Sequence, residues 1–289
     1  MSAMNAGIAD LLALLELERL EINLFRGASR DIGSPQVFGG QVLGQALTAA
    51  AATVEGRVVH SLHAYFLRRG DVNAPIVYEV DRSRDGRSFS NRRVVAIQHG
   101  EQIFNMTASF QVIEEGLEHQ IDMPAVPPPE ELPEMVDVIR PTLARLPERV
   151  RRFVEQPRPF EFRMVQQVDP LRQQKAAPER QVWLRAVGEL PDNEMLHRRL
   201  LAYVSDFYLL DTATLPHGTS YYSNTVVMAS IDHAMWFHRP LRVDDWLLYA
   251  LDSPSASGAR GFGRGRVFSR DGRLVASTAQ EGLIRLTHR

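Results

Sequence analysis

The chain has 289 residues, is 44% hydrophobic and 24% charged, and carries a net charge of −2. That length suits two domains or one large one, since single domains usually run about 100–200 residues, and that charge gives no long-range basic field to collect nucleic acid or an anionic membrane. With no cysteine, disulfides, thiolate metal sites and cysteine nucleophiles are all excluded.

The opening stretch MSAMNAGIADLLALLELERLEI has no basic n-region, and Glu16, Glu18 and Arg19 break its apolar run. It does not read as a signal peptide. No later stretch reaches the roughly 18 apolar residues that a membrane span needs. We expect a cytoplasmic protein.

VFGGQVLGQALTAAAATV (37–54) is rich in Ala and Gln and reads as a helix. The two glycines at its start serve either close helix packing or anion binding by free N–H groups. Runs of strand length follow: HSLHAYFLRRGD (60–71), PIVYEV (75–80), RDGRSFSNRRVVAIQ (84–98) and GEQIFNMTASFQ (100–111). RDG at 84–86 and again at 270–272 suits hairpin turns.

Residues 119–156 are rich in Pro and charge, and the triple proline at 127–129 cannot enter a sheet or helix interior. We read them as a linker with one short helix, over roughly 133–154. The expected domains are 1–118, the linker 119–156, and 157–289.

In the second half FEFRMVQQV (160–168) and QVWLRAVG (181–188) are strands, and NEMLHRRLLAYVSDFYLLDTATL (193–215) is one long helix capped by Asn193. Four strands should follow, through ASIDHAMWFHRP (229–240), DWLLYAL (245–251), SGARGFGRGRVFS (257–269) and GRLVASTAQEG (272–282). The halves resemble each other: His63 aligns with His233, Gly100 with Gly272, and Thr107 with Thr278. Such self-similarity marks a duplicated unit. A helix against antiparallel strands makes each copy an α+β unit.

Several long stretches, in order, resemble the acyl-CoA thioesterase II family: VFGGQVLGQAL, HSLHAYFLRRGD, RDGRSFSNRRVVAIQHG, MTASFQ, IDHAMWFHRP and STAQEG. The resemblance covers nearly the whole chain. It implies a double hotdog, two fused units that each wrap a long central helix in an antiparallel sheet. It implies hydrolysis of fatty acyl-CoA to free acid and CoA, with no metal and no organic cofactor. Its catalytic set falls on Asp206, Ser230 and Gln280; bacterial members usually carry Thr where Ser230 stands. Other expected partners are further copies of the chain, as a dimer or tetramer, with neither nucleic acid nor membrane.

The residues suit the chemistry. Asp206 lies among Leu200, Leu201, Tyr203, Val204, Phe207, Leu209 and Leu210, and a carboxylate held there should be a raised-pKa base. The Ser230 hydroxyl and the Gln280 amide can both bind a water and a carboxylate. Asp211 is the rival base on the same segment. If 226–233 is a regular strand, Ser230 and Asp232 share one face and His233 the other. That parity counts against an Asp232–His233 hydratase dyad, and His233 with His238 has no regular metal-ligand spacing. MWFHRP then reads as a wall. His60 aligns with Ser230 and Ser109 with Gln280, but the first helix has no acid, so one site per chain is expected. Arg260, Arg264 and Arg266, or Arg92 and Arg93, either grip CoA phosphate or form a solvated strand face. A non-catalytic acyl-CoA-binding module is the remaining alternative.

Overall fold

The computed structural model describes residues 5–34, 36–167, 174–220 and 225–287. The first half runs α1 (Ala6–Leu15), β1 (Glu18–Glu21), β2 (Leu24–Gly27), α2 (Gly39–Ala51), β3 (Val58–Phe66), β4 (Ile76–Asp85), β5 (Phe89–Gln98) and β6 (Glu101–Gln111). The expected linker helix is split into α3 (Met135–Ile139) and α4 (Glu148–Glu155), separated by a 3₁₀ stretch (Arg140–Arg145) with Pro141 in its first turn. The second half runs β7 (Phe160–Met164), β8 (Glu179–Ala186), α5 (Glu194–Val204), β9 (Val226–Ser230), β10 (Asp232–Phe237), β11 (Leu247–Ser257), β12 (Arg260–Ser269) and β13 (Leu274–Leu286). Val168, the end of the expected 160–168 strand, lies outside the described residues.

One sheet holds all the strands, in the order β1-β2-β4-β5-β6-β3-β10-β13-β12-β11-β8-β7, with β9 on the same partner, β13. The halves join edge to edge where β3 and β10 run antiparallel, Ala234 opposite His63. Two strand edges, open in either half alone, close on each other there.

Inside the curve of the sheet, α2 and α5 pack against each other. Residues 40–50 of α2 are all buried, as a helix needs when sheet and partner helix cover it all round. Its polar groups are spoken for: Gln45 Nε2 donates to the Leu14 and Ala28 carbonyls, and Tyr78 donates to Gln45 Oε1. Gly40 lies against the Tyr203 carbonyl and Gly44 against that of Arg199, so the helices run antiparallel. The start of α2 therefore meets the end of α5.

The expected 193–215 helix is a correction. Asn193 does cap it, accepting from Leu196 N at 3.1 Å, but α5 stops at Val204. Tyr208 takes a left-handed φ of 65°, which no α-helix can carry through. Helical geometry resumes only as a 3₁₀ stretch, Asp211–His217.

Arg92, a candidate phosphate ligand, is instead buried structure. Its guanidinium donates to Thr53 Oγ1, to the Thr53 and Arg84 carbonyls, and to Asp85. It ties β5 to the end of α2. Arg92→Met should cost about 1.5–3 kcal/mol, because the Thr53 groups it serves stay buried without a donor. Urea unfolding of the two proteins reads this directly, and an unchanged midpoint refutes it.

Candidate active site

Asp206 sits two residues beyond the last residue of α5, not in mid-helix. This places the carboxylate at the negative end of α5 and against the positive start of α2. The N–H of Gly40 donates to Asp206 Oδ2 at 2.9 Å. A Cβ at Gly39 would fall 2.7 Å from that same oxygen, so only a glycine lets the helix start come so near. Gln280 Nε2, on β13, donates to Asp206 Oδ1 at 2.8 Å, and the Ser230 hydroxyl donates to the carboxylate too. Burial pushes the Asp206 carboxyl above the usual aspartate range, and the Gln280, Gly40 and Ser230 hydrogen bonds only partly offset it.

Asp206, Ser230 and Gln280 thus converge. They line one side of a cavity of about 220 Å³ whose other walls include Val37, Phe38, Phe207, Leu210 and Met228. Gln280 Oε1 is buried beside them with no partner. A buried polar atom left bare is costly.

Strand parity misplaced Ser230. Ser230 pairs with Gly282 and Ala234 with Ala279, so one strand takes four steps where β13 takes three. The extra residue is a β-bulge at Ile231, whose N–H bonds Glu281 O and whose carbonyl accepts from Phe66 N. The bulge turns Ser230 and His233 to the same side. His233 is wholly buried and meets Gln280 Nε2 at 3.2 Å through Nδ1 and Ser205 Oγ at 3.0 Å through Nε2. Asp232 is turned away, accepting from Glu281 N at 2.6 Å. The two do not form the dyad a hydratase would need.

Other candidates fall elsewhere. Asp211 also lines the cavity but is ion-paired with Arg180 at 2.8 Å. Trp236 packs edge-on against His63, His238 meets Ser277, and Arg239 donates to Leu274 O. MWFHRP is therefore no wall of this cavity. Arg260 is paired with Glu281, and Arg264 and Arg266 with Asp252. Arg93 is exposed. In the first half His60 bonds Ser109 at 2.8 Å. The position after that helix's cap, the counterpart of Asp206, is Thr53, which accepts from Arg92. The duplicate place holds a hydroxyl served by a guanidinium where the other holds a carboxylate.

Family models match both ends of this pattern, the acyl-CoA thioesterase N-terminal domain over residues 27–111 and acyl-CoA thioesterase over 151–283. Acyl-CoA thioesterase 2 of Haemophilus influenzae is 44% identical over 279 residues, 96% of this chain and 98% of its own. The chain belongs to the acyl-CoA thioesterase family. Human acyl-coenzyme A thioesterase 8 is also 44% identical, over 94% of this chain and 88% of its own. The crystal structure of acyl-CoA thioesterase II TesB2 from Mycobacterium marinum matches with a TM-score of 0.79 at 43% identity, covering 96% of this chain and 98% of that one. The double hotdog and the enzyme class expected from the sequence both hold. The free N–H groups expected from two glycines opening a helix include the Gly40 N–H that meets Asp206. Sequence reasoning missed Ser205 and His233 as neighbours of the trio. The bulge hid His233.

Proposed function

We propose that the chain hydrolyses fatty acyl-CoA to free acid and CoA, with Asp206 as the base that activates water. The observation that carries this is the bare, buried Gln280 Oε1 beside a carboxylate whose affinity for protons is raised. A water that donates one hydrogen to Gln280 Oε1 and accepts from the Ser230 hydroxyl, turned to it from the carboxylate, would give its other proton to Asp206 as its oxygen attacks the thioester carbonyl carbon. Gly39, at the start of α2, lines the cavity, and its N–H would polarise the carbonyl oxygen, since the Gly40 N–H is already given to Asp206. Collapse of the tetrahedral adduct breaks the C–S bond. The thiolate leaves and takes the proton back from Asp206, so acid and thiol are the only products. The apolar walls suit an acyl chain.

The reading extends to a cytoplasmic homo-oligomer. Tyr65 and Trp236 stand exposed on neighbouring strands of the outer sheet face, which supports assembly there.

The test is thiol release from a panel of acyl-CoAs, short to long. Release with matching free acid supports the reading. Tight binding without release would make this a binding module, and a hydrated acyl-CoA with its thioester intact would make it a hydratase. Ser230→Ala should lower kcat on the order of tenfold by losing one water contact, and Ser230→Thr should stay near wild type. If Ser230→Ala turns over normally, the hydroxyl does not hold the water.

A further inference from the structure

We propose that His233 is the positioning residue that keeps the Gln280 amide facing the right way throughout turnover. This rests on the reading of Gln280 as the group that holds the attacking water.

A carboxamide can sit in either of two orientations that fill the same space. Which end faces the cavity decides whether Gln280 offers a water an acceptor or a donor. In the observed orientation Nε2 spends its two hydrogens on Asp206 Oδ1 and His233 Nδ1, which leaves Oε1 bare. Asp206 secures this orientation only while it is ionised. Once it takes the proton from water, its O–H could donate to Oε1 of a flipped amide. Nε2 would then occupy the water's place.

His233 blocks that flip because its Nδ1 is an acceptor in both states. Its tautomer is set from behind. The Ser205 hydroxyl donates to the Ala202 carbonyl at 2.9 Å, so Ser205 Oγ must accept from His233 Nε2–H at 3.0 Å. The imidazole's one proton is thereby placed on Nε2, and Nδ1 stays bare. A flipped Gln280 would set Oε1 against that lone pair. Burial, which pushes the His233 imidazole down to about 4, keeps it neutral and preserves the acceptor. The chain is Ala202 carbonyl, Ser205, His233, Gln280, and every link is a hydrogen bond in the structure.

A double-mutant cycle separates positioning from packing. His233→Leu should lower kcat on the order of tenfold or more with KM nearly unchanged, because the contact acts on the reacting water and not on substrate binding. In a Gln280→Ala enzyme the same change should cost less than about twofold, since residues acting as one unit are not additive. His233→Asn, which keeps an oxygen acceptor near the Nδ1 position, should recover part of the loss. Ser205→Ala, which frees the tautomer but keeps the ring, should lower kcat about fivefold and also do nothing further in Gln280→Ala. It carries the test if His233→Leu does not fold. Losses that multiply with Gln280→Ala overturn the inference and leave the hydrolase reading standing. A Gln280→Ala enzyme with wild-type kcat overturns the water-holding role and this inference together.

Discussion

Asp206→Asn should lower kcat by about 10²–10⁴-fold while the chain stays folded, the loss expected when a general base is removed. Asn fills the same space and still accepts from Gly40 N, so the helix start keeps its partner. It cannot take a proton, and its amide faces Gln280 Nε2 donor to donor. The two other acids near the cavity cannot take over easily. Asp211 is held by Arg180 and Asp232 is turned to Glu281 N. Wild-type kcat/KM should fall on the acid side through a pKa above the usual aspartate value of about 3.8, and that limb should disappear in the variant. Stability gives an independent reading. A carboxyl whose pKa is raised by folding binds more protons in the native than in the unfolded state between its two pKa values. Stability from this group is therefore present at low pH and declines as pH rises through that window. The advantage of wild type over Asp206→Asn in urea unfolding should shrink from acid to neutral pH. An Asn variant with wild-type turnover would remove Asp206 as the base.

Which parts of this arrangement could be read beforehand follows from where each contact comes from. The duplicated unit shows because its evidence is local: RDG turns, alternating apolar runs, and a helix start followed by strands in each half. Asp206 in its apolar neighbourhood shows for the same reason. Its position beyond the helix does not. Leu200, Leu201, Val204 and Leu210 continue a pattern that a helix would satisfy, and the break is imposed by the left-handed turn at Tyr208 and by the bond to Gly40, 166 residues away. The face of Ser230 was lost for a comparable reason. Nothing in MASIDH marks Ile231 as an inserted residue; the insertion exists only relative to β13. Arg92 looked like surface charge because its partners, Thr53 and Asp85, are adjacent only after α2 lies on the sheet.

Gly40→Ala should destabilise the protein by about 2–4 kcal/mol, although intrinsic propensity alone would favour Ala in a helix by about 1 kcal/mol. The added Cβ would lie 2.1 Å from the Tyr203 carbonyl oxygen of α5 and 2.5 Å from Phe38 Cε1. The carbonyl is backbone and cannot swing aside, so the two helices must separate where they approach most closely. Separation also draws Gly40 N away from Asp206 Oδ2, which leaves a buried carboxylate short of a donor. Activity should therefore fall with stability, and kcat more than KM. Gly44→Ala is the internal comparison on the same helix. Its Cβ would meet Leu15 Cδ2 at 2.9 Å, the far end of a flexible side chain, with the next neighbour at 3.5 Å. There the propensity gain offsets a small rearrangement, and stability should stay within about 1 kcal/mol of wild type. Urea midpoints and thiol release measured on both variants distinguish the two sites. If Gly40→Ala unfolds like Gly44→Ala and keeps its kcat, the close approach of α2 to α5 is not what sets Asp206 in place.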